Sequence, residues 1–160
     1  MTDTWAGITV SGNEVVVVSV VPLKGGALEV HSDNTLKLAT GDRPDAYATM
    51  FRRIRDYIKE NKITHVALKA SAVSGRNATN AHLEAAELRG VVAAAVREGG
   101  ANVHLARKAS LSKTAGSKKV DEYLKDEPFW ETKTTGRQLR IGSREAVFVI
   151  YGILKSNNDN

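Results

Sequence analysis

Three segments with the composition of β-strands, separated by turn residues, occupy the start of the 160-residue chain, at residues 5–10, 14–21 and 27–38. The second contains a β-branched run of four valines at 15–18, and the third is the weakest. Ser-Gly-Asn at 11–13 separates the first two segments, and Lys-Gly-Gly at 24–26 precedes the third. Glycine and asparagine accept the positive φ angles of tight hairpin turns. The pattern therefore predicts a three-stranded antiparallel meander.

Helical and strand patterns alternate after the meander. The expected elements are a helix that follows Asp42 and ends near Asn61, a strand at 63–70, a loop at 71–80, a helix at 81–98, a strand at 101–106, a partly helical segment at 109–125 and a final helix from Ser143. This order predicts an α/β fold with a five-stranded mixed sheet and helices on both faces. We expect a single domain at 1–155 and a disordered tail at 156–160.

Composition narrows the class of protein. The chain has no cysteine, which excludes disulfides and thiolate metal sites and favours a cytoplasmic location. Its N-terminus does not resemble a signal peptide. No apolar run reaches the roughly 18 residues of a membrane span, so we expect no membrane contact.

Positive charge is concentrated in two acid-free segments. The net charge is +5, residues 107–119 hold five cations, and residues 132–144 hold four. Such segments are typical of phosphate contact, and also of solvated loops that keep a protein soluble. Neither segment contains an aromatic residue, which favours duplex or structured nucleic acid over stacked single strands.

Several short motifs occur in a recognisable order. They are Gly7-Ile8-Thr9 in the first strand, Val66-Ala67-Leu68-Lys69 in the fourth, Glu87-Leu88-Arg89-Gly90-Val91-Val92 in a helix, the basic segment at 107–113, and Arg144-Glu145-Ala146-Val147 in the last helix. In this order the chain resembles the RuvC-like branch of the RNase H fold, over about residues 5–155. It is most similar to a group of small uncharacterised bacterial RuvC-like proteins.

The resemblance implies a magnesium-dependent endonuclease, but three expected carboxylate positions differ. Thr9, Lys69 and Gly142 stand where that family has acids, and Glu145 alone keeps one. Two-metal cleavage needs several carboxylates around the ions. The sequence therefore predicts a catalytically inactive remnant cleft of Thr9, Lys69 and Glu145 with no metal cofactor.

One alternative keeps the cleavage chemistry. A non-standard metal-dependent nuclease would need Mg²⁺ and acids moved in from elsewhere. The candidates for those acids are Glu14, Glu84 and Glu87.

Cations in and near the cleft are the candidate nucleic-acid contacts. Lys69 and Arg144 could hold phosphates where metal ions would otherwise bind, or Lys69 could pair internally with Glu145. The full predicted set is Lys69, Arg107, Lys108, Lys113, Lys118, Lys119, Arg137, Arg140 and Arg144.

Two functions without catalysis remain open. The first is phosphate-mediated binding of duplex or structured nucleic acid. The second is a pseudoenzyme that contacts a protein, as a homodimer or as a subunit of a larger assembly. For that second function, the helix face with Val147 and Tyr151 is a candidate surface.

Overall fold

The structure is a computed structural model that describes residues 2–70 and 79–160. Most of the loop expected at 71–80 lies outside the described residues. Within them, the three opening strands and the following alternation of helices and strands are present.

A mixed sheet forms the centre of the fold. Its strands are β1 (Trp5–Val10), β2 (Glu14–Pro22), β3 (Leu28–Lys37), β4 (His65–Lys69), β5 (Asn102–Ala106) and β6 (Thr134–Gly136). The strand order is β5-β4-β1-β2-β3-β6. The β1–β2 and β2–β3 pairs are antiparallel, and the other neighbouring pairs are parallel. The predicted antiparallel meander is therefore correct.

Six helices in the described part of the chain cover the sheet. They are α1 (Arg43–Glu60), α2 (Asn80–Glu98), α3 (Lys108–Ala115), α4 (Val120–Leu124), α5 (Glu127–Lys133) and α6 (Arg144–Asn158), and a short 3₁₀ helix (Ile141–Ser143) precedes α6. As predicted, Asp42 caps α1, because its side chain accepts a hydrogen bond from the Asp45 amide.

The prediction of five strands was wrong, since β6 adds a sixth. This strand has only three residues and pairs in parallel with the first residues of β3. A strand this short has too few positions to show the alternation on which strand prediction depends. The last helix, α6, continues to Asn158, beyond the expected domain limit at 155.

The two faces of the sheet pack against different helices, as expected. One face lies against α1 and α2, and its buried side chains include Ile8, Val17, Leu68, Met50, Ile54, Leu88 and Val92. The other lies against α6 and α3–α5, and its buried side chains include Trp5, Val18, Val20, Ala67, Trp130, Phe148 and Ile150. Each fully buried large apolar side chain contributes about 1.5–3 kcal/mol. Each face of the sheet therefore carries its own hydrophobic core.

Gly7 allows α6 to lie directly on the sheet. A Cβ atom at this position would be 1.9 Å from the backbone oxygen of Ala146. Only glycine permits this approach. The contact fixes the first turn of α6 above the middle of β1.

No helix within residues 2–70 and 79–160 is both long enough and apolar enough to cross a membrane.

Candidate functional site

The carboxyl ends of β1 and β4 place Thr9 beside Lys69. The parallel register pairs Gly7 with Ala67 and Ile8 with Leu68, so the next residues along the two strands are neighbours. Alternate side chains of a strand share a face. Because Gly7 faces α6, Thr9 and Lys69 also face that helix.

Glu145 completes this group from the first turn of α6. Its Oε1 forms an ion pair with the Nζ of Lys69. The two side chains are 27% and 28% exposed, respectively. The internal pairing that the sequence left open is therefore the arrangement that the structure shows.

A second ion pair lies on the same sheet face, two strands from β1. Arg140 donates from Nε and Nη2 to the two carboxylate oxygens of Asp33 on β3, at 3.1 and 2.5 Å. Its Nη2 also donates to the Thr35 hydroxyl. Ser143 donates its hydroxyl to Asp33 at 2.6 Å. The Asp33 side chain is only 4% exposed.

Asp33 is ionised at neutral pH. Burial raises the pKa of its carboxyl, but the hydrogen bonds from Arg140 and Ser143 outweigh burial and hold the pKa below its ordinary value of 3.8. The bidentate geometry is the strongest form of an arginine–carboxylate contact. Arg140 is thus fixed over β3 by a buried anion.

The two ion pairs lie at either side of a row of neighbouring residues that crosses four strands of the sheet. The register places Thr9 opposite Val16, and Val16 opposite Thr35. With strands about 4.8 Å apart, Lys69 and Thr35 are separated by about 14 Å. The face between the pairs therefore presents Thr9 and Val16, with one neutralised cation at each side.

Sequence comparisons find no relative, whereas structure comparisons find clear ones. No protein-family model and no curated protein sequence matches the chain. A structure of Thermus thermophilus RuvC matches with a TM-score of 0.75 and 14% identity, over 97% of this chain and 95% of that one. The chain has the RuvC-like RNase H fold.

Two further structures agree with this assignment. Thermus thermophilus RuvC in complex with a Holliday junction substrate matches at a TM-score of 0.75 and 11% identity, over 99% of this chain and 96% of that one. The yeast mitochondrial Holliday junction resolvase matches with a TM-score of 0.60 and 11% identity, over 94% of this chain and 78% of that one. At these identities the likeness establishes the fold.

The RuvC-like cleft of this chain does not fit a magnesium ion. Mg²⁺ requires oxygen ligands in near-octahedral geometry, whereas the carboxylate of Glu145 faces an ammonium group. In the described part of the chain, no three His, Asp or Glu side chains lie close enough together to hold a metal.

Of the three acids considered for a non-standard nuclease, two lie on the opposite sheet face from the cleft and one lies on the same face. Glu84 pairs with Arg43, and Glu87 accepts a hydrogen bond from Tyr47. Both contacts join α1 to α2, on the sheet face opposite Lys69. Glu14 lies on β2 two residues before Val16 and therefore shares its sheet face, so among the three candidates it is the one on the cleft face.

Arg144 does not occupy the position expected for a phosphate contact. Arg144 is only 5% exposed. Its guanidinium donates hydrogen bonds to the Leu124 carbonyl and to Glu127 Oε1. It also lies over the Trp130 ring at 5.9 Å. Arg144 therefore packs α6 against α4 and α5, because a long side chain at the start of α6 meets the preceding helices.

Carboxylates of the protein already pair with several other predicted cations. Lys108 pairs with Asp121, and Lys118 pairs with Asp126. A hydrogen bond from Lys108 lowers the pKa of Asp121, and the charges of Lys125 and Lys69 lower it further. Lys69 pairs in register with Ala106 at the end of β5, so α3, which begins at Lys108, starts near the cleft.

Four of the predicted contacts remain exposed and form no ion pair within the described residues: Arg107, Lys113, Lys119 and Arg137. Three of them come from the segment 107–119, whose start lies at the cleft edge. These four are the candidates for direct phosphate contact.

Sequence reasoning missed Asp33. It lies in the polar half of β3, where His31, Ser32, Asn34 and Thr35 surround it. An acid at an inward position of a strand is a usable signal, because buried carboxylates require partners. Its partner, Arg140, is 107 residues away, so no local pattern could identify the pair.

Proposed function

We propose that this chain is a RuvC-like domain that binds duplex or structured nucleic acid through phosphate contacts and does not cut it. The Lys69–Glu145 ion pair is the observation that carries the proposal. It places a cation at the end of β4, where a cleavage site of this fold would need a metal-binding carboxylate. A fixed cation about 4 Å from Mg²⁺ costs on the order of several kcal/mol at an effective dielectric near 20.

Charge and composition support the binding half of the proposal. Arg107, Lys113 and Lys119 lie exposed on the segment that starts beside the cleft. Lysine and arginine that are not already neutralised release counterions when they contact phosphates. One similar structure contains a Holliday junction substrate, so a four-way junction is the first probe to use. We place this function in the cytoplasm, in keeping with a chain that has no cysteine.

The direct test is a binding assay with three labelled DNAs of equal length: a four-way junction, a duplex and a single strand. We expect the junction and the duplex to bind more tightly than the single strand, and all affinities to fall with added salt. Absence of binding at low salt would overturn the proposal.

A parallel assay tests inactivity. Incubation of the same DNAs with Mg²⁺ or Mn²⁺ should leave them intact. Cleavage that disappears in Glu145→Gln would show that the cleft is a working nuclease site.

Exposed leucines on α2 and β5 favour protein contact as the second candidate function. Leu83 on α2 is 60% exposed and Leu105 on β5 is 65% exposed. The face expected for this role does not fit it, since Val147 is fully buried. Light scattering of the purified chain at several concentrations tests for a homodimer, and a Leu105→Lys variant should remove it.

A further inference from the structure

A cavity lies at the end of the sheet opposite the Thr9–Lys69 cleft. Its volume is about 670 Å³, within the usual range for small-molecule sites. The β2–β3 turn, the end of α5 and the second half of α6 line it, and one side is open to solvent. Lys155 follows Glu145 by ten residues on α6, which corresponds to about 15 Å at 1.5 Å per residue. The cavity is therefore separate from the cleft.

Two lysines converge on one aromatic ring in this cavity. The Nζ of Lys133 lies 5.6 Å from the Tyr151 ring centroid, and that of Lys155 lies 6.0 Å from it. Both lysines are partly buried. Neither forms an ion pair with any carboxylate in the described part of the chain. Two partly desolvated ammonium groups beside the same ring leave a local excess of positive charge.

The aromatic ring is held in place, and its hydroxyl is available. Phe129 packs edge-on against Tyr151 at 5.5 Å, and Phe148 lies at 6.1 Å. Among the described residues, nothing hydrogen-bonds to the Tyr151 hydroxyl, which can therefore donate to a ligand. Together the hydroxyl and the two ammonium groups suit an anion with several acceptor oxygens.

The rest of the lining is apolar or neutral, with one exception. Leu23 and Leu154 provide apolar surface beside the lysines, and the buried Leu28 lies beneath them. Asp159 is the single carboxylate among the described lining residues, and it is exposed, so solvent screens its charge. The cavity thus combines a cationic end with a hydrophobic wall.

We propose that this cavity binds a nucleoside monophosphate, with the phosphate between Lys133 and Lys155 and the base against the leucine wall. A phosphate dianion would neutralise both ammonium groups and accept the Tyr151 hydroxyl hydrogen bond. A planar base would cover Leu23 and Leu154. The site is independent of the proposed DNA contact at the other end of the sheet.

The test uses AMP, adenosine and inorganic phosphate as separate probes in titration calorimetry of the full chain. AMP should bind at least about tenfold more tightly than either part alone, because both ends of the cavity then contribute. Equal binding of AMP and phosphate, or no binding of AMP, overturns the proposal. A 5′-phosphorylated dinucleotide distinguishes a free nucleotide from a strand end.

Variants locate the site. Lys133→Gln and Lys155→Gln should each weaken AMP binding about tenfold, and Tyr151→Phe should weaken it less. Lys59→Gln, an exposed lysine on α1, is the matched control and should change nothing. NMR shifts on AMP addition should centre on Tyr151 and Leu154. Shifts centred on Thr9 and Lys69, or equal effects of Lys59→Gln and Lys133→Gln, contradict the assignment.

Discussion

Lys69 at the end of β4 is paired with Glu145 in the first turn of α6. The pair joins the sheet to a helix beside Thr9, where β1 ends. Both side chains are mostly buried, and the ammonium group already neutralises the carboxylate. The fold therefore closes this cleft with an internal ion pair, which accounts for the poor fit of a divalent cation there.

Restoring acids at the cleft should create a metal site. In Thr9→Asp/Lys69→Glu, three carboxylates would converge with no competing cation. We expect Mn²⁺ to raise the Tm of this variant, since a ligand at tenfold its Kd stabilises a protein by about 1.4 kcal/mol. Thermal unfolding with and without Mn²⁺ measures this. Wild type and a variant that also carries Glu145→Gln are the controls, and an equal shift in wild type would contradict the arrangement.

Removing Lys69 alone should cost more than removing both members of the Lys69–Glu145 pair. Lys69→Met leaves the buried Oε1 of Glu145 without its cation and should destabilise the fold by about 1–3 kcal/mol. Glu145→Gln should cost less, because Lys69 can extend to solvent. Urea unfolding of both single variants and the double variant gives the coupling, expected at about 0.5–3 kcal/mol. Strict additivity would show that the pair contributes nothing.

Asp33 should make stability depend on acid pH. Its folded-state pKa lies below the ordinary value of 3.8, so its ionised form stabilises the fold above that value. This contribution is lost as the pH falls through the lower folded-state pKa. Asp33→Asn should therefore cost about 1–3 kcal/mol at neutral pH and progressively less below about pH 4. Urea unfolding between about pH 7 and about pH 2 measures this difference in stability. The exposed Asp159→Asn is the control. A difference between Asp33→Asn and wild type that stays constant with pH would contradict this account.

Sequence patterns were sufficient for the elements that are long and periodic. The Val run of β2 and the apolar positions of α1 predicted a strand and a helix, and the structure has both. They failed for β6 and α5, which have three and seven residues. Such short elements depend on tertiary neighbours, in this case β3 and α6, rather than on their own periodicity.

The site was predictable where motif order places residues on adjacent strands. Thr9 and Lys69 follow from this order, and Glu145 follows from the position of the last helix. The pairing of cations was not predictable, because it depends on distant contacts. Arg140 meets an acid on β3, and Arg144 turns into the core towards Glu127. Charge alone therefore could not indicate which of these cations already pair with acids of the protein.

Gly7→Ala should separate α6 from the sheet. The new methyl group would meet the backbone of Ala146 at 1.9 Å, and backbone cannot rotate away. We expect destabilisation of about 3 kcal/mol or more, at the upper end for overpacked cores. Gly90→Ala is the matched control, because nothing lies within 4 Å of its Cβ position and alanine favours a helix by about 1 kcal/mol. Urea unfolding should thus give opposite signs for the two variants.

Four exposed cations should account for the salt dependence of DNA binding. Replacing Arg107, Lys113, Lys119 and Arg137 with Gln should reduce the slope of log K against log salt by about 3 to 4 units, since each phosphate contact contributes about 0.9. Replacing Arg52, Arg53, Lys59 and Lys62 of the α1 region removes the same charge and is the control. Equal slopes for the two variants would mean that net charge alone determines binding.

A comparison within one segment separates paired from unpaired lysines. Lys108 and Lys118 already contact Asp121 and Asp126, whereas Lys113 and Lys119 form no ion pair among the described residues. A lysine neutralised by the protein releases few counterions when DNA binds. Lys113→Gln/Lys119→Gln should therefore reduce the slope by about 2 units, and Lys108→Gln/Lys118→Gln should reduce it by less. The two double variants have the same net charge and lie on the same segment. A larger effect of Lys108→Gln/Lys118→Gln would show that DNA displaces the ion pairs and contacts those lysines instead.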